Sequence, residues 1–221
     1  MSWHRIVSCA ALALCGIARA ETYLPFSSVS LADSSYATGQ VLVREDRSFG
    51  FPVRGNPDEG VEWTSVSGMV RSTVVRALDG TIDFYWQVTT FRNTVFRFSV
   101  LEFTDPAYTL SAGWLSDGPG ITAPHSAYPV LYPLAPNVSR DVRFGFDEEF
   151  ESSKIFFLDT DARGYTRTAR FLVGPQVYNS FEANGPTFAP GLIPEPQTWA
   201  LLVAGLVAVA ARARGRAGRS S

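Results

Sequence analysis

The 221-residue chain reads as an all-β protein. The expected fold is an antiparallel β-sandwich of jelly-roll or immunoglobulin-like type, placed between an N-terminal signal helix and a C-terminal single transmembrane helix. Three observations predict it. Through the middle of the chain, apolar and polar residues alternate with a period of two, the mark of strands with one buried face. These segments recur at intervals of roughly ten to fifteen residues and are bounded by Gly, Pro, Asn and Asp, with no sustained helical period between Glu21 and Ile193. Sixteen phenylalanines supply the aromatic bulk that fills the space between two sheets.

The chain opens with His4 and Arg5, an apolar run over residues 6–17, and Ala18-Arg19-Ala20. A positive start, a short apolar stretch and a small-x-small cleavage site, Ala18 and Ala20, make a secretory signal peptide over residues 1–20. It would be handled by the Sec translocon and signal peptidase, leaving a mature start at Glu21. Both cysteines, Cys9 and Cys15, fall inside it. The mature chain then has no thiol, which excludes disulfides, cysteine nucleophiles and cysteine-based metal sites.

The domain is expected over residues 21–183. Its clearest strand is 82–88, with Ile82, Phe84, Trp86 and Val88 on one face and Asp83, Tyr85 and Gln87 on the other. Asp79-Gly80 before it signals a hairpin turn from a strand over residues 69–77. Residues 94–103 should put Phe96, Phe98 and Val100 on one side and Arg97 and Ser99 on the other. Val142, Phe144 and Phe146 alternate. Ile155-Phe156-Phe157-Leu158 is an unbroken apolar run, expected at the centre of a sheet. Residues 167–173 close the set, and 40–44 and 49–53 are shorter candidates. Residues 116–138, with five prolines, read as a long surface loop. Residues 184–193 read as a Pro/Gly linker.

Beyond the linker comes a tail over residues 194–221. It holds Pro194-Glu195-Pro196, a run over 198–211 with no charge and no proline, and Arg212, Arg214, Arg216 and Arg219 in a basic segment over 212–221. Fourteen helical residues span roughly 21 Å, short of the ~30 Å bilayer core. Trp199 stands where an interfacial anchor belongs, Leu201, Leu202, Val203, Leu206 and Val207 are its apolar body, and the arginines act as a cytoplasmic stop. This three-part order resembles the PEP-CTERM tail, an element also catalogued as an ice-binding protein C-terminal motif. The resemblance covers about the last eighth of the chain. It implies recognition of Pro194, Glu195 and Pro196 by an exosortase, transient residence in the inner membrane, removal of the helix and transfer to the cell surface or an exopolysaccharide matrix of a Gram-negative bacterium.

Charge narrows the partners. Of 19 basic and 21 acidic residues, the signal takes Arg5 and Arg19, and the tail takes four arginines and Glu195. That leaves 13 basic and 20 acidic residues, a net charge of −7 on residues 21–193. Such a surface argues against nucleic acid as a partner. The matrix that the PEP-CTERM resemblance implies leaves extracellular polysaccharide open as a partner, while the residues of the domain do not themselves name its ligand.

Catalytic chemistry has few residues to use. His125 is the one histidine after the signal, and no Gly-x-Ser-x-Gly elbow accompanies it. No catalytic residue, cofactor or metal site is expected. Asp159 to Gly164 looks like the start of a calcium loop, but Arg163 and Arg170 occupy ligand positions. Asp147, Glu148 and Asp159 remain as stray oxygen donors. The acidic clusters Asp147-Glu148-Glu149 with Glu151, and Asp58-Glu59 with Glu62, are the paired carboxylates on which a glycoside hydrolase reading would rest. They are expected in turns, where charge is solvated. For sugar stacking, Trp114 is the best candidate outside the core, with Trp63, Tyr108, Tyr128 and Tyr132 as lesser ones. Trp86 is expected in the core.

Overall fold

The computed structural model describes residues 24–54, 63–104, 108–130, 140–174 and 182–191. In chain order these form β1 (Phe26–Val29), one helical turn α1 (Ser35–Thr38), β2 (Gln40–Arg54), β3 (Trp63–Arg76), β4 (Ile82–Arg92) and β5 (Val95–Thr104). There follow β6 (Leu110–Leu115), β7 (Ser126–Val130), β8 (Arg140–Phe150), β9 (Phe156–Thr160), β10 (Gly164–Gly174) and β11 (Ala183–Gly191). The protein is all-β, with two sheets. One runs β1-β6-β9-β4-β3-β2 and the other β11-β10-β5-β8-β7. All pairings between these strands are antiparallel except β1 on β6.

The β3–β4 hairpin forms where Asp79-Gly80 signals it. Gly80 takes a φ of +88°, a left-handed conformation that costs a residue without Cβ little. The Gly80 amide donates to the Ala77 carbonyl and the Ala77 amide to that of Thr81. From this turn β4 alternates as written. Ile82, Phe84, Trp86 and Val88 are buried between the sheets, together with Phe98, Phe144 and Phe171 from the facing sheet. Trp86 lies at the middle of this core, its ring centroid 6.0 Å from Phe98 and 5.8 Å from Phe103.

The six-stranded sheet is also buried on its outer face. Val75, Tyr85, Leu115, Ile155 and Phe157 form a second cluster there, covered by Val29, Leu31 and Tyr36 from the N-terminal segment. This explains the unbroken run 155–158. Its residues enter β9, third of six strands, where both faces are dry.

Five expectations need correction. Residues 184–193 are not a linker over most of their length: β11 pairs with β10 from Ala183 to Gly191. Pro186 and Pro190 misled the reading, because β11 is an edge strand and an edge tolerates residues with no N–H to give. Thr187, Phe188 and Ala189 are buried, and Thr187 Oγ1 accepts from Trp86 Nε1 at 3.0 Å and donates to Ser72 Oγ at 3.1 Å. Residues 116–138 are not loop throughout, since β7 pairs with β8 across Pro129. The acidic run Asp147-Glu148-Glu149 lies in β8 rather than a turn, its side chains exposed on both sides of a strand end. Finally, Phe96 leaves the face of Phe98 and Val100. A register shift between Val95 and Arg97 puts Val95 in the core instead. The strands are also longer than expected: residues 40–44 and 49–53 are parts of one 15-residue β2.

Candidate functional site

One end of the six-stranded sheet opens into a cleft of about 510 Å³. Its floor is the outer face of β4, β6 and β9. The Ala77–Thr81 turn forms one wall, and Val29 with the segment leading into α1 forms another. Five aspartates line it: Asp33, Asp79, Asp83, Asp159 and Asp161. Among the described residues no Lys, Arg or His does.

Two of the aspartates come together through the sheet register. Phe84 pairs with Leu158 and Tyr85 with Phe157, so the next step places Asp83 on β4 opposite Asp159 on β9. Directly opposed residues on one sheet face have Cβ atoms about 4.5–5.5 Å apart, and like charges there repel. Asp83 is 5% exposed. Ser35 Oγ donates to Asp83 Oδ2 at 2.5 Å and lies 2.7 Å from Tyr85 Oη, which therefore donates to Ser35. A short chain of hydroxyls thus pins α1 over the floor. Asp159 is held more weakly, by Ser111 Oγ at 3.4 Å.

Burial pushes the Asp159 carboxyl up to about 7, and the neighbouring Asp83 carboxylate pushes in the same direction against the Ser111 hydrogen bond. Burial likewise raises Asp83, against the hydrogen bonds from Ser35 and the Thr160 backbone. The Tyr85 hydroxyl is raised by burial too, so it stays a neutral donor. Asp79 is the contrast. It accepts from the Thr81 hydroxyl at 2.6 Å and the Thr81 amide at 3.0 Å, and these bonds hold its carboxyl below the ordinary value.

The candidates read from the sequence lie elsewhere. Asp147, Glu148 and Glu149 are on β8 in the other sheet, and Asp159 is on β9, so the stray calcium donors are not brought together. Among the described residues no group of three or more His, Cys, Asp or Glu is arranged to hold a metal ion. Asp58, Glu59 and Glu62 lie outside the described residues. His125 Nδ1 is 3.1 Å from Asp147 Oδ1. A Cβ placed on Gly145 would lie 2.8 Å from Ser126 Oγ and 3.0 Å from His125 Nε2. His125 and Asp147 are both exposed, so this pair lies on an open surface.

Trp86 is in the core, as its alternation requires. Trp114 is partly buried and packs against the main core cluster, so it offers less ring to a ligand than its place beside a proline-rich stretch suggests. Trp114→Ala is expected to cost about 1–3 kcal/mol of stability, read as a lowered urea midpoint. An unchanged midpoint would show the ring to be free of the core. Tyr128 lies on β7 under the Arg143 guanidinium, 5.8 Å from its ring centroid; Tyr132 and the Trp63 side chain lie outside what is described.

Ala18, Ala20, Pro194, Glu195, Pro196 and residues 198–221 also lie outside the described residues. Among those described, no helix is long and apolar enough to cross a membrane. The cleft itself was missed because its acids are far apart in sequence, and only the register of β4 against β9 opposes them. The one local signal was Asp83 facing outward beside Tyr85 in an otherwise buried strand. Comparison with family models, curated proteins and solved structures finds no match to this chain, so the site is defined by its own geometry.

Proposed function

We propose that this is an exported surface protein, sorted by an exosortase through Pro194-Glu195-Pro196. The run 198–211 holds it in the inner membrane until processing, and the arginines from Arg212 to Arg219 stop translocation. The sandwich is then a non-enzymatic component of the outer envelope or exopolysaccharide matrix. The observation that carries this reading is the order of motif, apolar run and basic cluster, joined to an export signal at the other end. Successive strands from β4 to β7 and from β8 to β10 alternate between the two sheets, which favours jelly-roll over immunoglobulin-like topology for the domain.

Intact mass of the protein recovered from the cell surface tests the reading. The expected mass runs from Glu21 to near Pro194, alone or with an added acceptor. A mass running from Glu21 to Ser221 would mean a permanent anchor and would overturn sorting.

The cleft favours a second reading, in which the domain is a carbohydrate-binding module for the matrix. At about 510 Å³ it is within the range of ligand pockets, and its hydroxyls and carboxylates suit a sugar better than the exposed acids of β8.

A further inference from the structure

The cleft holds an arrangement that costs the fold stability. Asp83 and Asp159 face each other on adjacent strands inside the six-stranded sheet, a like-charge cross-strand pair where folding gains from an opposite or apolar one. No cation among the described residues shares the cavity with them. Lys154 is committed to the Gly118 carbonyl at 2.9 Å, and the charge of Arg163 acts on Asp79. Asp83 is fixed from one side by Ser35, so the pair cannot relax by swinging that carboxylate away without breaking the Ser35–Tyr85 chain. A rule broken in a sheet, beneath a cavity, marks a place where sequence serves a ligand rather than the fold.

We propose that this cleft binds a primary ammonium group, carried by an amino-sugar unit of a polysaccharide, between the Asp83 and Asp159 carboxylates. The inference rests on the second reading above and names its ligand class. An ammonium is a compact charge with three donors, which matches two carboxylates a few ångströms apart better than a flat guanidinium does. Phe157 and Val29 give the wall an apolar patch for the carbon face of the ring, and Ser111 and Thr109 place hydroxyls within the same cavity.

The test is calorimetric titration of the full-length chain, purified in detergent at pH 7, with a β-1,4-linked glucosamine tetramer and with its N-acetylated counterpart. The glucosamine tetramer is expected to bind at least tenfold more tightly. The double variant Asp83→Asn/Asp159→Asn is expected to lose at least tenfold of that affinity. The double variant Asp147→Asn/Glu149→Gln, which removes the same charge from the other sheet, should bind like the parent. Should the first double variant not fold, Asp159→Asn alone carries the comparison. Equal losses in both double variants would reduce the effect to net charge and overturn the proposal. Equal binding of the two tetramers would overturn the ammonium while leaving the polysaccharide reading standing, and binding of neither would end both. None of these outcomes bears on the mass measurement that tests sorting.

Discussion

A chain that stops at Glu182 is expected to lose its fold, whereas one that stops at Ile193 keeps the parent's melting temperature. The difference is β11. Its Phe188 is 3% exposed, and burying a phenylalanine contributes about 1.5–3 kcal/mol. Its Thr187 is the acceptor for the indole N–H of Trp86, and leaving that donor unpaired at the middle of the core costs roughly 1–3 kcal/mol. Removal also turns β10 into a bare edge. Together these approach about 5 kcal/mol, the lower end of the whole stability of a domain. Far-UV circular dichroism and urea unfolding of the two chains decide it. Matching cooperative transitions would mean that β11 is dispensable. For the sorting proposal, the consequence is a short tether: in sequence, Pro194 follows the last paired residue, Gly191, by three positions. A processing enzyme would meet the motif close to the folded domain.

Asp159→Asn is expected to stabilise the protein at neutral and alkaline pH. The folded state raises this carboxyl from 3.8 to about 7, so folding favours its protonated form. Its contribution is therefore intact below the unfolded value, is lost as pH rises toward 7, and beyond that the ionised group weighs against the fold. Three units correspond to about 4 kcal/mol as an upper bound. A gain of roughly 1–4 kcal/mol is expected at pH 8, or a rise in Tm of about 3–10 °C for a domain of this size. At pH 3.5 the variant and parent should melt together. Thermal melts across pH 3.5–8 provide the check. A variant no more stable than the parent at pH 8 would show that neither burial nor the facing Asp83 weighs on the ionised Asp159. Such a gain on removing an acid is what a binding site shows when function and stability compete.

Much of the fold was legible in the residues. The alternation in 82–88 gave β4, its inward face and the place of Trp86, because a strand's period of two ties sequence parity to sheet face. Asp79-Gly80 gave the hairpin because few residues accept a positive φ. The run 155–158 gave a central strand because only a strand covered on both faces has no use for a polar position. Elsewhere local composition misled. Prolines at 186 and 190 look like a linker, yet they are compatible with an edge strand, and whether a strand is at an edge is not a local property. Phe96 looks like the partner of Phe98, but a bulge shifts the parity, and a bulge depends on what the neighbouring strand β8 requires.

The sequence by itself determined the strand periodicity, the aromatic core and the acidic balance of residues 21–193, and it carries the motif, apolar run and arginines on which the sorting proposal rests. Each is carried by residues near one another in the chain. Only the tertiary structure decided which sheet each strand joins, that β11 forms an edge of the five-stranded sheet, and that Asp83 faces Asp159 under a cleft. Those two aspartates stand seventy-six positions apart. Their meeting is set by the pairing of β4 with β9, and that pairing is selected by burial on both sheet faces together rather than by any signal within either strand.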